Sequence, residues 1–127
     1  MRRAALALAL PLPASADGGA TVRLAEVSGL SPSQAEALLA ALLETNVVAS
    51  DCPGWGITDR EWALVAGTAD RLAREVLGLS ADDYEARFYG PAFARLDEPE
   101  TWDSEGPKID GLIRLLTDLG GSPVPAP

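Results

Sequence analysis

"TDREWALVAGTADRLAREVLG", residues 58–78, carries the start, the face and the stop of an α-helix in one stretch. Thr58 followed by Glu61 makes a capping box. The hydroxyl accepts from the backbone N–H three residues on, and the carboxylate answers the N–H of the cap itself. Trp62, Val65, Ala66, Ala69, Leu72, Ala73 and Val76 then recur at the three- and four-residue intervals of a single helical face. Gly78 closes the run, since glycine enters left-handed backbone without steric cost. On the opposite side Asp70 with Arg74 and Arg71 with Glu75 stand four residues apart. Such pairs contribute about 0.3 kcal/mol each.

The same signals recur on both sides of this helix. Ser31, Pro32 and Gln34 open another, with Ala35, Leu38, Leu39, Leu42 and Leu43 as its apolar face. A shorter helix is expected before it, over residues 21–29, closed by Gly29. Downstream, Ser80 caps a third helix whose first turn holds Asp82 and Asp83, carboxylates that complement the helix dipole. Gly90-Pro91 is expected to break or sharply kink it, with residues 91–98 resuming for two turns. Pro107 suits the first position of a last helix, whose face is Ile109, Leu112, Ile113, Leu116 and Leu119 and whose end is Gly120-Gly121. No segment alternates over strand length. The expected fold is therefore all-α: a small irregular bundle of four to five short helices over residues 21–120, with a disordered Pro-rich tail over 121–127. Its expected core draws on Leu38, Leu42, Trp62, Val65, Leu72, Val76, Phe88, Leu112, Ile113 and Leu116.

Residues 1–16 read as a signal peptide. Arg2 and Arg3 precede an apolar run from Ala4 to Pro13, and small residues follow at Ala14-Ser15-Ala16, so cleavage is expected after Ala16 or, as a second site, after Ala20. The run is too short to cross a hydrocarbon core as a helix. The expectation is an exported, periplasmic or secreted chain with no stable membrane insertion after cleavage. Losing Arg2 and Arg3 takes the formal charge from −9 to −11. A surface of that sign repels nucleic acid and anionic membrane and suits a basic partner or a cation.

The 127 residues contain no histidine and one cysteine. That removes Ser-His-Asp and Cys-His nucleophilic pairs, the usual zinc sets and His-ligated haem. It also removes any disulfide within the chain. Cys52 follows Asp51, a neighbour that raises a thiol's pKa, and precedes Pro53-Gly54-Trp55. It reads as a buried small hydrophobe, with a reactive thiol or a disulfide-linked dimer as the alternatives. Asp97, Glu98, Glu100, Asp103, Glu105 and Asp110 crowd one stretch, but no calcium-loop register fits the positions of Gly106 and Pro107. No catalytic residue, cofactor or metal ligand is assigned.

The aromatic residues all lie between Trp55 and Trp102, and "FYGPAF", residues 88–93, gathers three of them. Core filling is their default role. The functional alternative is a partly exposed groove for a partner peptide or apolar ligand, with Trp55, Tyr89, Phe93 and Trp102 as its surface. Residues 24–44, "LAEVSGLSPSQAEALLAALLE", resemble the paired N-terminal helices of the bacterial histone-like DNA-bending family. That family's basic β-arms have no counterpart here, so neither its function nor its site residues are carried over. The expected role is a non-catalytic accessory or protein-interaction module of the bacterial envelope. The alternative is a small-molecule or metal-ion binding protein with weak enzymatic activity.

Overall fold

The computed structural model describes residues 22–51, 54–98 and 100–125, without the side chains of Trp102 and Pro125. The expected leader and Cys52 lie outside these residues. The described residues form four helical runs and one two-stranded antiparallel pair, so the chain is mostly helical. Strand β1 (Val22–Arg23) leads to helix α1 (Pro32–Asp51). Helix α2 (Asp59–Arg71) continues through a π-helical turn at Leu72–Val76. The third run is α3 (Ala81–Tyr84), a π-helical turn (Glu85–Tyr89), α4 (Gly90–Ala94) and a 3-10 turn (Arg95–Asp97). The fourth is α5 (Thr101–Glu105), a 3-10 turn (Gly106–Lys108) and α6 (Ile109–Asp118), after which β2 (Ser122–Pro125) returns to β1.

All three predicted caps form. Thr58 Oγ1 accepts from Glu61 N at 3.1 Å while Glu61 Oε1 accepts from Thr58 N at 2.9 Å. Ser31 and Gln34 make the same reciprocal pair at 3.2 and 2.9 Å. Ser80 Oγ accepts from Asp83 N at 3.1 Å. These bonds satisfy N–H groups that a helix leaves unpaired at its start, and they fix where each run begins.

Helix α1 is the centre of the molecule. Ala35, Leu38, Leu39, Leu42 and Leu43 are buried, and its last turns bury Thr45, Asn46, Val47 and Val48 in succession. Four consecutive buried positions leave no solvent face, so the helix is enclosed there on every side. Around it pack Leu64, Val65, Leu72 and Ala73 of the second run, Phe88 and Ala92 of the third, and Ile109, Ile113 and Leu116 of α6. Three expected core residues differ. Val76 and Leu112 are half-buried, and Trp62 is 40% exposed. The buried stripe of α2 centres on Leu64 and Thr68 rather than on Trp62, because Thr68 turns its hydroxyl inward, receiving the Ala25 N–H at 3.4 Å.

Two further expectations change. Residues 22–29 are not helical: they begin as β1 and continue extended, with Ala25 and Val27 buried and Glu26 and Ser28 exposed. The segment is tied down by partners far along the chain. Glu26 N donates to Leu119 O at 2.7 Å and Arg71 Nη1 donates to Ala25 O at 3.3 Å. The paired helices of the histone-like family are therefore absent. Residues 122–125, expected as a loose tail, pair with β1. Proline is tolerated there because a two-stranded ribbon has open edges that need no N–H. Gly90-Pro91, expected to break or sharply kink its helix, does not break it and lies within an uninterrupted helical run. The preceding π turn, closed by Gly90 N–H donating to Glu85 O, supplies the room that a proline ring lacks in a regular helix.

Gly121 sits where α6, α2 and the extended segment after β1 meet. A Cβ there would stand 2.8 Å from Leu64 Cδ1, 3.0 Å from Leu116 O and 3.1 Å from Ala25 N. Two of those neighbours are backbone and cannot yield cheaply. Gly121→Ala is expected to destabilise the fold by about 1–3 kcal/mol, as overpacking does. Gly29→Ala, whose Cβ meets nothing within 4 Å, is expected to stay within about 0.5 kcal/mol of the parent. Urea unfolding of the two variants checks both.

Candidate functional site

The aromatic residues of the third run line up on one side through an unusual register. In a regular helix Tyr84 would stand over Phe88, four residues on. The π turn at Glu85–Tyr89 widens the spiral, so that Tyr84 instead meets Tyr89, five residues on, with ring centroids 5.0 Å apart. An ordinary α step then carries Tyr89 to Phe93, whose rings lie 6.1 Å apart and within 22° of parallel. Phe88 is released to the core, where it is buried. One π step followed by one α step thus builds a row of three rings, and Phe93 at its end is 51% exposed.

Facing this row is the outer side of α2. Ala63, Ala66 and Gly67 give a low apolar floor, and Trp62 stands at one end. The Trp62 indole N–H donates to Asn46 Oδ1 at 3.0 Å, pinning the ring to α1 while its face stays in solvent. Leu24 packs against Gly67, where a Cβ would fall 2.6 Å from Leu24 Cδ2. At the far end Asp70 and Arg74 form an ion pair of 3.2 Å beside Ser80. The enclosed space is a half-open cleft of about 630 Å³. Burial pushes the Tyr84 hydroxyl above its ordinary range, with Tyr89 and Asp70 adding to the effect.

Of the surface residues expected from sequence, the structure brings Tyr89 and Phe93 together. Trp55 lines a different and smaller cleft, half-buried against Gly106. The Trp102 side chain and Cys52 lie outside the described residues. Trp62 and Tyr84 join the site unexpectedly. A cluster of aromatic residues was visible in the sequence, but a five-residue spacing belongs to neither helical nor strand periodicity.

The acidic stretch has a separate explanation. Arg95 reaches Glu44 of α1 at 2.8 Å, Glu98 at 3.5 Å and Glu105 at 3.4 Å. Lys108 meets Glu105 from the other side at 3.1 Å. Among the described residues no three acidic or cysteine side chains are grouped as metal ligands. Two of these carboxylates shift oppositely. Desolvation pushes Glu44 above its ordinary range. Desolvation acts on Glu105 too, but the hydrogen bond and charge of Lys108, with Arg95 behind them, outweigh it and hold Glu105 low.

Comparison with family models, with curated proteins and with solved structures finds no match to this chain.

The two carboxylate shifts set a pH dependence. Glu105, with its pKa lowered, stabilises the fold above the ordinary carboxylate range and loses that contribution as pH falls through its depressed value. Glu44, with its pKa raised, contributes below the ordinary range and loses that as pH rises. At neutral pH Glu105→Gln is therefore expected to cost about 1–2 kcal/mol, short of the penalty for a fully buried pair because solvent still screens the cluster. Glu44→Gln is expected to cost less than Glu105→Gln at neutral pH, a gap that narrows on acidification. Chemical denaturation at neutral and acid pH measures both.

Proposed function

We propose that this chain is a non-catalytic interaction module of the bacterial envelope, exported behind its leader, that binds a protein partner through the cleft between α2 and the ring row. One observation carries the reading: two large apolar side chains stay exposed here, Trp62 at one end of the cleft and Phe93 at the end of the ring row that borders it. Isolated exposed apolar residues need no explanation. A row of rings with an apolar floor does, because aromatic anchors in a cleft are the groups that dominate protein interfaces. The chemistry around the cleft supports binding over catalysis. Its polar groups are hydroxyls and an ion pair already matched with itself, which offers no poised nucleophile and base. The leader pattern and the negative formal charge support an exported, freely soluble chain.

A small apolar ligand is the second reading, favoured by a volume in the range of small-molecule sites. A half-open cleft flanked by exposed rings suits a chain segment better than a sequestered molecule.

Affinity capture from native envelope, comparing parent and Phe93→Ala, tests the proposal. Phe93 is half-exposed, so its loss is expected to leave the melting temperature nearly unchanged while reducing partner recovery about tenfold or more, the scale of a hot-spot residue. A partner recovered equally by both proteins would overturn the assignment of the cleft. A ligand screen by thermal shift separates the second reading, since a binder of the folded state raises the melting temperature with concentration.

A further inference from the structure

We infer that Asn46 is the positioning residue of the cleft, a polar side chain kept inside α1 so that the Trp62 indole stands fixed as a wall before a partner arrives. This rests on the cleft being a protein-binding site and concerns what prepares that site for binding.

Asn46 is out of place where it stands. Thr45, Asn46, Val47 and Val48 are buried one after another, and Leu42 and Leu43, a turn earlier, are fully buried. Asparagine is a poor helix former, and an amide taken out of water is unfavourable unless its polar atoms find partners. An aliphatic side chain of similar size would serve both the helix and the core better. The use of the amide lies outside the core. Its oxygen accepts from Trp62 Nε1 at 3.0 Å and from Ser50 Oγ at 3.4 Å. An indole N–H donates and never accepts, so the amide has one orientation open to it, oxygen towards the ring. Ser50, one turn further along α1, supports that orientation.

Trp62 is thereby held at both ends. Its backbone lies in the first turn of α2, directly after the Thr58–Glu61 capping box, and its N–H donates to Thr58 O at 2.8 Å. Its side chain is anchored 16 residues back in the sequence, on the central helix. Between these two fixed points the ring is 40% exposed, at the end of the cleft beside Ala63 and Ala66. A half-exposed tryptophan without an anchor turns about two side-chain torsions, and a partner that needs one of its positions must order it on docking. The bond to Asn46 removes that cost in advance. Asn46 is itself buried and reaches the cleft through Trp62.

Exchange of the indole N–H protons, followed by nuclear magnetic resonance on the full chain, tests the inference together with affinity capture from native envelope. Trp62→Phe identifies the Trp62 signal by its loss. Asn46→Leu removes the acceptor and keeps an aliphatic side chain in the core. It is expected to speed exchange of the Trp62 proton and to lower partner recovery, each by about fivefold, the scale of one hydrogen bond. Its melting temperature is expected to stay at or above that of the parent. Asn46→Asp keeps an acceptor oxygen and is expected to restore slow exchange and recovery. Exchange unaffected by Asn46→Leu would overturn the inference. So would fast exchange with recovery intact, and a loss of recovery in Phe93→Ala then keeps the cleft as the binding site. If neither Asn46→Leu nor Phe93→Ala lowers recovery, both readings fall. If Asn46→Leu melts well below the parent, Trp62→Phe decides from the other side of the bond: recovery lost at the parent's melting temperature upholds the inference, and recovery retained sinks it.

Discussion

The enclosure of α1 is the constraint on which the rest of the molecule depends. A chain of 127 residues has little interior to distribute, and this one builds it around a single helix. Leu39, Leu42, Leu43 and Val48 are fully buried there, each worth about 1.5–3 kcal/mol relative to exposure. To cover α1 on all sides the other three runs must each give it one face, and their outer faces are left facing water. The cleft is what remains where α2 and the third run border each other. Asn46 shows the connection directly: it is a buried polar group on α1, and its carbonyl oxygen accepts the Trp62 N–H that sets one wall of the cleft.

Polar contacts tie the covering layers to each other more than they strengthen them. The exposed i,i+4 pairs on α2 contribute little. Arg95 is different, because it links α1, the end of the third run and α5 through Glu44, Glu98 and Glu105. It holds together elements separated by up to 51 residues in the sequence. Two of the acidic residues crowded into one stretch of sequence, Glu98 and Glu105, are in three dimensions the partners of one guanidinium.

What the sequence made legible was local. Thr58, Ser31 and Ser80 announced their helices because a cap is a contact within four residues. The faces of α1 and α6 were readable because their leucines and isoleucines obey the helical period. The misread elements are those governed by distant partners. Residues 22–27 contain nothing that opposes a helix, and their extended form comes from Thr68, Arg71 and Leu119. Trp62 fits an apolar stripe of α2, yet the stripe that is buried includes Thr68, whose polarity hid it. The cleft was half visible: the cluster around Tyr89 and Phe93 could be seen, but its alignment with Tyr84 could not. Glycine and proline suggested an interruption at residues 90–91, and the chain met the same stereochemical problem by widening the spiral before it.

That widened turn has a consequence for how this chain tolerates changes of length. A π turn is an α-helix with one surplus residue. Removing a residue between Tyr84 and Tyr89 would let the spiral tighten to its ordinary pitch, leaving the side chains before and after it on the faces they already occupy. The same deletion within α4 or α2 would turn everything beyond it by about 100° and present the wrong surface to α1. The ring row is thus assembled across the one place in its helix where the count of residues is not fixed by the geometry around it, and a shortened sibling of this sequence, missing one residue there, would keep its aromatic surface intact.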